Sequence, residues 1–339
     1  MDNKGIKGIH IVKPFVKPLV KWVGGKTQII DKIIANFPGN QDGNQDGNHD
    51  GNQGEHVEIN NYREAFLGGG SVLLAFLSYV KCGVIKVRGN IYAYDLNEPL
   101  IHIYKNIQTH HNELYDILQT IIKDFGECGD GNGNGVVNRN PTNITDAKVA
   151  KENFYYWIRS EYNKLCLEDK KGLLGSAMFI FLNKTCFRGM FRVGPKGFNV
   201  PYGNYKRPEI INKGHLEEIH NLIQGVVFEC CDFTTSLTLS RIESNDFVYL
   251  DPPYAPEKNT SFVGYTESGF GIECHTNLFA MIHEMTRADI KVMLCNADVS
   301  LVRDNFTNEK YKVATILCKR SINSKNPNAK AQEVIITNY

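Results

Sequence analysis

The chain has 339 residues, 42% of them hydrophobic, and a formal net charge of +1. This length and apolar content indicate one large domain or two coupled domains with a substantial core. The near-zero net charge excludes binding of polyanions by overall charge alone. The apolar runs are too short to span a membrane, so we expect a soluble protein.

Strand and helix patterns alternate along the chain. Apolar and β-branched segments predict strands at 62–66, 91–95, 226–230, 246–250, 290–295, 311–317 and 333–337. Helical periodicity predicts helices at about 26–36, 71–81, 97–124, 151–168, 172–182, 215–223 and 275–287. This alternation favours an α/β fold with a mostly parallel, doubly wound sheet of the Rossmann-like type.

The stretch 101–224 interrupts the alternation, because it is rich in helices and then in basic loops. It predicts a second domain inserted between the two parts of the first, residues 1–100 and 225–339. The segments 39–54 and 126–145 are rich in Asn and Gly. They cannot offset the entropy of ordering by burial, so we expect disordered surface loops.

The nine cysteines are an odd number without metal-ligand spacing. Cys82, Cys295 and Cys318 lie inside apolar runs, which is typical of buried thiols in a reducing compartment. No apolar leader segment follows Met1, so the sequence predicts an intracellular protein without a signal peptide. The cysteine spacing predicts that there is no metal site.

The predicted strand at 246–250 runs directly into Asp251-Pro252-Pro253-Tyr254. Two prolines cannot lie in a central strand, because each lacks a backbone donor. The strand must therefore end there and present a carboxylate, carbonyl groups on a rigid backbone and an aromatic ring. That carboxyl edge is where open α/β sheets bind ligands. By itself, the motif is equally typical of an ordinary strand-ending turn.

Residues 62–71 predict a strand, a glycine turn that includes Gly68 and Gly70, and the start of a helix. Glycines let the backbone approach a nucleotide-like ligand closely. Asp95 ends the next strand, 25 residues after Gly70, where such folds place a ribose-binding carboxylate. The alternative is a helix N-cap formed by Asp95 or Asn97.

Residues 183–206 alternate basic side chains with aromatic residues and glycines. Arginine binds guanine edges and phosphates, and aromatic or methionine side chains insert between bases. The pattern favours a nucleic-acid surface over a plain solvated loop.

In this order, the motifs resemble those of the Dam-like (D12 class, alpha group) DNA adenine-N6 methyltransferases. The resemblance covers nearly the whole chain apart from the Asn/Gly-rich segments. It rests on Lys21-Trp22-x-Gly24-Gly25-Lys26, Glu64-x-Phe66-x-Gly68-x-Gly70, Asp95-Leu96-Asn97, residues 198–206, Asp251-Pro252-Pro253-Tyr254 and Arg320-Ser321-Ile322.

The resemblance implies methyl transfer from S-adenosylmethionine to N6 of an adenine flipped out of duplex DNA, without a metal. Asp251 and the Pro252 carbonyl would each accept one N6 hydrogen, and Tyr254 would stack on the base. The implied cofactor-binding residues are Trp22, Lys26, Phe66, Gly68, Gly70, Asp95, Asp232, Phe233 and Asp251.

The resemblance also implies that residues 184–206 form a hairpin that enters the DNA. The implied DNA-binding residues are Lys21, Phe187, Arg188, Met190, Arg192, Pro201, Tyr205 and Lys206. Members that methylate GATC usually have Asn at the position of Arg188, whereas Cys186-Phe187-Arg188-Gly189 resembles methyltransferases of CATG sites. We therefore predict a short palindromic site, with CATG favoured over GATC.

RNA adenine-N6 and DNA cytosine-N4 methyltransferases are the alternatives. Asp251 favours adenine, because cytosine-N4 enzymes more often have Ser there and protein-glutamine enzymes have Asn. Met190 and the basic hairpin favour duplex DNA over RNA, whose major groove is too narrow for side chains. A DNA-binding module without catalysis is disfavoured by the intact Asp251. A restriction-modification system, with a cognate restriction endonuclease as partner, is the expected context.

Overall fold

The computed structural model describes residues 15–38, 57–129, 137–256, 269–319 and 330–339. The segment 39–54 and the motif Arg320-Ser321-Ile322 lie outside the described residues. The strands are β1 (Val57–Ile59), β2 (Tyr62–Glu64), β3 (Ile85–Val87), β4 (Ile91–Asp95), β5 (Val193–Gly194), β6 (Gly197–Phe198), β7 (Val226–Cys230), β8 (Phe247–Leu250), β9 (Lys291–Ala297), β10 (Lys312–Lys319) and β11 (Lys330–Thr337). The helices are α1 (Ile30–Ile34), α2 (Ser71–Lys81), α3 (Glu98–Gly126), α4 (Ile144–Lys148), α5 (Lys151–Lys164), α6 (Leu167–Lys171), α7 (Leu173–Thr185), α8 (Lys213–Leu222), α9 (Phe233–Ser236), α10 (Ile272–Arg287) and α11 (Ser300–Arg303).

Seven strands form one sheet in the order β10-β11-β9-β8-β2-β4-β7. The strands from β9 to β7 run parallel, and β11 runs antiparallel to both of its neighbours. These are the strands that the sequence predicts, so the prediction of an α/β fold with a mostly parallel sheet is confirmed. The strand order reverses between β2 and β8, and sheets of this kind bind ligands at such a reversal.

Both faces of the central strands are buried, as expected for a parallel sheet that helices cover on both sides. Along β8, Phe247 and Tyr249 join a core that includes residues of α2 and α3. Val248 and Leu250 point to the opposite face and join a core that includes residues of α10. Helices on both faces therefore fix the strands whose carboxyl ends carry the acidic residues.

A buried ion pair joins the central strands near their amino ends. Nε of Arg63 on β2 lies 2.9 Å from Oδ2 of Asp246, the residue that precedes β8. The same guanidinium donates a hydrogen bond to the hydroxyl of Tyr94 on β4 at 3.0 Å. Three neighbouring strands are thereby held in a common register.

A helical region lies between β4 and β7. Phe125, Phe154 and Phe181 pack at its centre, with ring centroids 5.2 to 6.1 Å apart. The first part of α3 also packs on the sheet, because Tyr104 stacks on Phe228 of β7 at 5.1 Å. The division into a first domain, residues 1–100 and 225–339, and a second domain inserted at 101–224 stays a prediction.

Two expectations for this region are corrected. The helix predicted at 151–168 is two helices, because α5 ends at Lys164 and the thiol of Cys166 caps α6. The disorder predicted for 126–145 is wrong for its described parts, 126–129 and 137–145, because Asn143 caps α4 there. Where the structure describes the chain, no helix is both long enough and apolar enough to cross a membrane.

Two pairs of short strands lie outside the main sheet. β1 and β3 pair in parallel, and β5 and β6 form an antiparallel hairpin within residues 184–206. Strands of two or three residues are too short to show a periodic pattern. The sequence did not predict β1 and β3, which, unlike the equally short β2, do not lead into a recognisable motif. The hairpin lies where the resemblance implies one.

Candidate active site

The carboxyl ends of β2, β4 and β8 lie side by side, because these parallel strands are neighbours in the sheet. Glu64, Asp95 and Asp251 stand at these three ends and line one cavity of about 1360 Å³. A pocket for one small ligand measures about 300–1,000 Å³. The cavity therefore has room for two ligands at once.

Most of the residues predicted for catalysis and cofactor binding lie on the cavity wall. They are Trp22, Lys26, Phe66, Gly68, Asp95, Asp232, Phe233, Asp251, Pro252 and Tyr254. Gly70 lies behind the wall, where its φ is +71° and a Cβ would come within 2.5 Å of Oη of Tyr104. Packing at the start of α2 explains the glycine at this position.

Residues 251–255, which we call the acceptor loop, present two acceptors that have no hydrogen-bond partner among the described residues. Oδ2 of Asp251 lies 2.6 Å from Nζ of Lys26, whereas Oδ1 is buried and has no hydrogen-bond partner among the described residues. The carbonyl oxygen of Pro252 likewise accepts no hydrogen bond from any residue that the structure describes. Buried polar groups normally have partners, so Oδ1 is available to a ligand.

Lys26 is buried beside the acceptor loop. Its backbone N–H donates to Oγ of Ser71 at 3.1 Å, and its ammonium donates to the carbonyl of Gly24 at 2.7 Å. Burial is the largest single effect and lowers the pKa of Lys26, but the charge and hydrogen bond of Asp251, together with the nearby Cys295 and Glu333, raise it above its ordinary value. Burial raises the pKa of Asp251 to about 6, against the lowering effect of Lys26. Both groups are therefore charged at neutral pH.

The glycine turn lies against Trp22 and Asp95. Gly68 has a φ of +50°, and a Cβ there would come within 2.8 Å of Cδ1 of Trp22. Its N–H donates to Oδ2 of Asp95 at 2.9 Å, and the N–H of Asn97 donates to Oδ1 at 2.8 Å. The side chain of Asn97 caps α3, so Asp95 is left to brace the turn at the cavity wall.

Three phenylalanines form an aromatic wall on one side of the cavity. The ring of Phe66 lies 5.8 Å from the rings of Phe233 and Phe270. Asp232, beside this wall, caps α9 by accepting a hydrogen bond from the N–H of Thr234 at 2.9 Å. The sequence does not predict a role for Phe270, because no motif surrounds it and only the fold brings it to Phe66.

Two carboxyl groups on the wall were not assigned a role from the sequence. Glu64 is buried and accepts a hydrogen bond from the hydroxyl of Tyr62 at 2.7 Å. Burial raises the pKa of Glu64 to about 8, so its carboxyl is largely protonated at neutral pH. Glu333 on β11 accepts a hydrogen bond from the hydroxyl of Tyr254 at 2.8 Å. Glu64 stands in a motif that could have drawn attention to it, whereas Glu333 carries no local signal.

The predicted DNA-binding residues surround the hairpin, and Arg188 and Met190 line the same cavity as Asp251. Nζ of Lys21 lies 4.8 Å from the ring of Tyr205, whose hydroxyl accepts a hydrogen bond from the N–H of Arg188. We use the name basic rim for Lys21, Phe187, Arg188, Arg192, Pro201, Tyr205 and Lys206, all exposed except the half-buried Tyr205.

Arg188 has a left-handed backbone with a φ of +57°. The N–H of Phe187, the preceding residue, donates to the carbonyl of Pro201 at 2.8 Å, which holds the turn. Asparagine adopts this conformation more readily than arginine. Arg188 therefore stands in a backbone conformation that asparagine would adopt more readily.

Comparison with known proteins now identifies the family. A sequence model described as D12 class N6 adenine-specific DNA methyltransferase matches residues 22–319. The chain belongs to this family. It is 32% identical over 332 residues to the type II methyltransferase M.MjaIII of Methanocaldococcus jannaschii, a match that covers 96% of this chain and 99% of the relative.

Two further relatives match along nearly their whole length. The type II methyltransferase M1.LlaDCHI of Lactococcus lactis subsp. cremoris is 25% identical, with 96% of each chain covered. The DNA adenine methylase of Escherichia coli (strain K12) is 24% identical, with 95% of each chain covered. The predicted resemblance to the Dam-like methyltransferases is therefore confirmed.

Membership of this family makes the chain an adenine-specific DNA methyltransferase and implies that S-adenosylmethionine is the methyl donor. The cavity fits that molecule, because it combines an aromatic wall, a glycine turn braced by a carboxylate and room for a second ligand. Within the described ranges, no group of three or more His, Cys, Asp or Glu side chains could hold a metal ion.

Glu64→Gln is expected to change how stability depends on pH. The pKa of Glu64 is about 8 in the folded protein against 4.5 ordinarily, so the folded state binds its proton more tightly than the unfolded state. The contribution of Glu64 to the stability of the wild type should therefore fall as pH rises from about 4.5 to 8, by roughly 3–5 kcal/mol at about 1.4 kcal/mol per pKa unit. Glutamine keeps an acceptor for Tyr62 and cannot ionise.

Urea unfolding of the wild type and of Glu64→Gln at pH 5, 6.5 and 8 measures this difference. The stability of the variant relative to the wild type should rise over this range. Glu218→Gln, which changes an exposed carboxyl on α8, serves as the control and should follow the wild type. Parallel pH dependence of Glu64→Gln and the wild type would contradict the buried, protonated carboxyl.

Proposed function

We propose that this D12-class protein transfers a methyl group to N6 of an adenine flipped out of duplex DNA at a short palindromic site. The observation that carries the proposal is a pair of acceptors on the acceptor loop, Oδ1 of Asp251 and the carbonyl of Pro252, neither of which has a hydrogen-bond partner in the part of the chain that the structure describes. The adenine amino group offers two N–H donors to match them. Flipping is required, because N6 inside a duplex cannot reach a buried carboxylate.

The two acceptors make the amine a better nucleophile. The lone pair of N6 is delocalised into the ring, and hydrogen bonds from both N–H groups favour a tetrahedral nitrogen with a localised lone pair. Because Lys26 occupies Oδ2, Asp251 presents its other oxygen in one orientation. Such preorganised positioning is the main contribution that the protein makes. S-adenosylmethionine supplies the electrophilic methyl group on its sulfonium.

We infer that the methyl donor and the target base lie on either side of the strand reversal. Phe66, Phe233 and Asp232 would hold the adenine of the donor, and Asp95 would hold its ribose beside the glycine turn. Trp22 and Gly68 line the same part of the wall. On the other side, Tyr254 would stack on the flipped base, with its hydroxyl anchored by Glu333.

The basic rim supports binding of duplex DNA. It joins the cavity at Arg188 and Met190, so a base that leaves the duplex at the rim has a path to Asp251. Phe187 is a large aromatic side chain that remains 45% exposed, which suits insertion into stacked bases. Lys21, Arg192 and Lys206 would bind phosphates around it.

Arg188 supports a recognition sequence different from that of the family members with Asn at this position. We propose CATG ahead of GATC. Two relatives are named type II methyltransferases. We therefore also propose a restriction-modification context with a cognate endonuclease.

Digestion of treated DNA tests the site directly. Plasmid incubated with the protein and S-adenosylmethionine should resist endonucleases that methylation blocks at CATG, and it should remain sensitive at GATC. Protection at GATC would overturn the proposed preference while leaving adenine methylation intact. Arg188→Asn should shift protection towards GATC if this side chain selects the site.

Asp251→Ala should lower the single-turnover rate of methylation by about 10²–10³-fold or more, because one of the two acceptors is lost. Binding of S-adenosylmethionine and of duplex DNA should change little, as measured by calorimetry and fluorescence anisotropy. Asp304→Ala removes an exposed carboxyl after α11 and is the matched control. Substantial turnover by Asp251→Ala would refute the proposed role.

Lys26→Met should move the acid limb of the pH–rate profile to higher pH. Lys26 lowers the pKa of Asp251, which is about 6 in the wild type, and the acceptor must be ionised. Without the ammonium, activity should fall at pH 7 and recover in part at pH 8.5. Lys32→Met, which changes an exposed lysine on α1, should keep the wild-type profile. An unchanged limb in Lys26→Met would argue against the ion pair as the cause.

A further inference from the structure

The acceptor loop is held by side chains from four different parts of the fold. Lys26 pairs with Asp251, and Glu333 accepts a hydrogen bond from Tyr254. Two further contacts bind the backbone of the loop. Oδ1 of Asn296 accepts a hydrogen bond from the N–H of Ala255 at 2.9 Å, and Nε2 of His275 lies 3.1 Å from the carbonyl oxygen of Pro253.

His275 differs from Lys26 and Glu333 because it is not on the cavity wall. It lies on α10 and is fully buried, with its ring edge-on to Phe270 at 4.7 Å and to Phe279 at 5.9 Å. It therefore cannot touch a ligand in the cavity. Its contact with the acceptor loop is made to the backbone, through one ring nitrogen.

The second ring nitrogen contacts its own helix. Nδ1 lies 2.9 Å from the carbonyl oxygen of Gly271, which already accepts the backbone N–H of His275 at 3.1 Å. The helix therefore keeps that hydrogen bond without the ring, whereas the donor to Pro253 comes from the ring alone. Both ring nitrogens face carbonyl oxygens, and a neutral ring carries only one proton. The tautomer with that proton on Nε2 supplies the donor to Pro253.

Proline geometry transmits this contact to the neighbouring carbonyl. The pyrrolidine rings of Pro252 and Pro253 lock φ near −65°, and the peptide bonds are planar. The direction of the Pro252 carbonyl then depends on the ψ angle of Pro252 alone. The ion pair holds Asp251 on one side of Pro252, and His275 holds the Pro253 carbonyl on the other side. The ψ angle of Pro252 therefore has little freedom to change.

We propose that His275 is a positioning residue for methyl transfer: by donating to the Pro253 carbonyl, it aims the Pro252 carbonyl at the amino group of the substrate. The inference rests on the proposed function of the acceptor loop. Loss of the contact should lower the rate of the chemical step by about 10- to 100-fold, which is the cost of a small misplacement at a reacting group.

Three variants separate the two ring contacts. The amide nitrogen of His275→Gln reaches approximately the position of Nε2, so it keeps a donor for Pro253. The shorter amide of His275→Asn reaches approximately the position of Nδ1 and cannot contact Pro253. His275→Leu keeps the packing against Phe270 and Phe279 but offers no donor. The single-turnover rate should be mostly recovered in His275→Gln and reduced in the other two variants.

His283→Leu is the matched control. His283 lies two turns further along α10, half-buried against Phe306, with Nδ1 2.7 Å from the hydroxyl of Tyr311. Its replacement perturbs the same helix away from the acceptor loop. It should lower the melting temperature without changing the single-turnover rate.

The measurements are single-turnover methylation at saturating duplex DNA and S-adenosylmethionine, the KM for S-adenosylmethionine, and thermal unfolding of each variant. A fall in rate with unchanged KM in His275→Asn and His275→Leu, and recovery in His275→Gln, supports positioning. Equal rates in His275→Gln and His275→Asn overturn it. This comparison remains valid if His275→Leu fails to fold.

The outcome for His275 is distinguishable from the outcome for the acceptor loop itself. If Asp251→Ala retains turnover, the proposed function of the loop fails, whatever the His275 variants show. If Asp251→Ala is inactive and His275→Asn is as fast as the wild type, only the positioning role of His275 fails.

Discussion

The site depends on an ammonium and a carboxylate that are buried together at the strand reversal. Burial disfavours the charge of Lys26 and of Asp251 separately, and each keeps the other ionised. Their pairing occupies Oδ2, and no described residue contacts Oδ1 through a hydrogen bond, so the two oxygens of the carboxylate become different and one of them can accept from a ligand. Loss of either partner would leave the other as an uncompensated charge in the interior.

The same N-terminal segment connects this pair to the recognition hairpin. Asn183, near the end of α7, accepts a hydrogen bond from the N–H of Lys21 and donates one to its carbonyl, both at 2.8 Å. Trp22 lies between the glycine turn and Phe191, whose ring is 5.5 Å from the indole. Residues 21–26 therefore fix the distance between the rim that would bind DNA and the carboxylate that would bind the flipped base.

Local patterns predict much of this architecture. Apolar runs identify the strands of the main sheet, and a residue that ends a parallel strand must lie at its carboxyl edge. The strand pattern alone therefore assigns Asp95 and Asp251 to one edge of the sheet. The glycine turn before α2 is also a local pattern, and it identifies Gly68. The structure supplies the reason for the glycine, because its positive φ and its contact with Trp22 leave no room for a side chain.

The sequence by itself determined the sheet, the acidic residues at its edge and the family, because each depends on short-range pattern or motif order. Only the tertiary structure decided which acceptors on residues 251–255 are free. Lys26, His275 and Glu333 lie far from that segment in the chain, and their contacts exist only because packing of the sheet, α10 and the N-terminal segment brings them there. Long-range contacts of single side chains leave no periodic signal in a sequence.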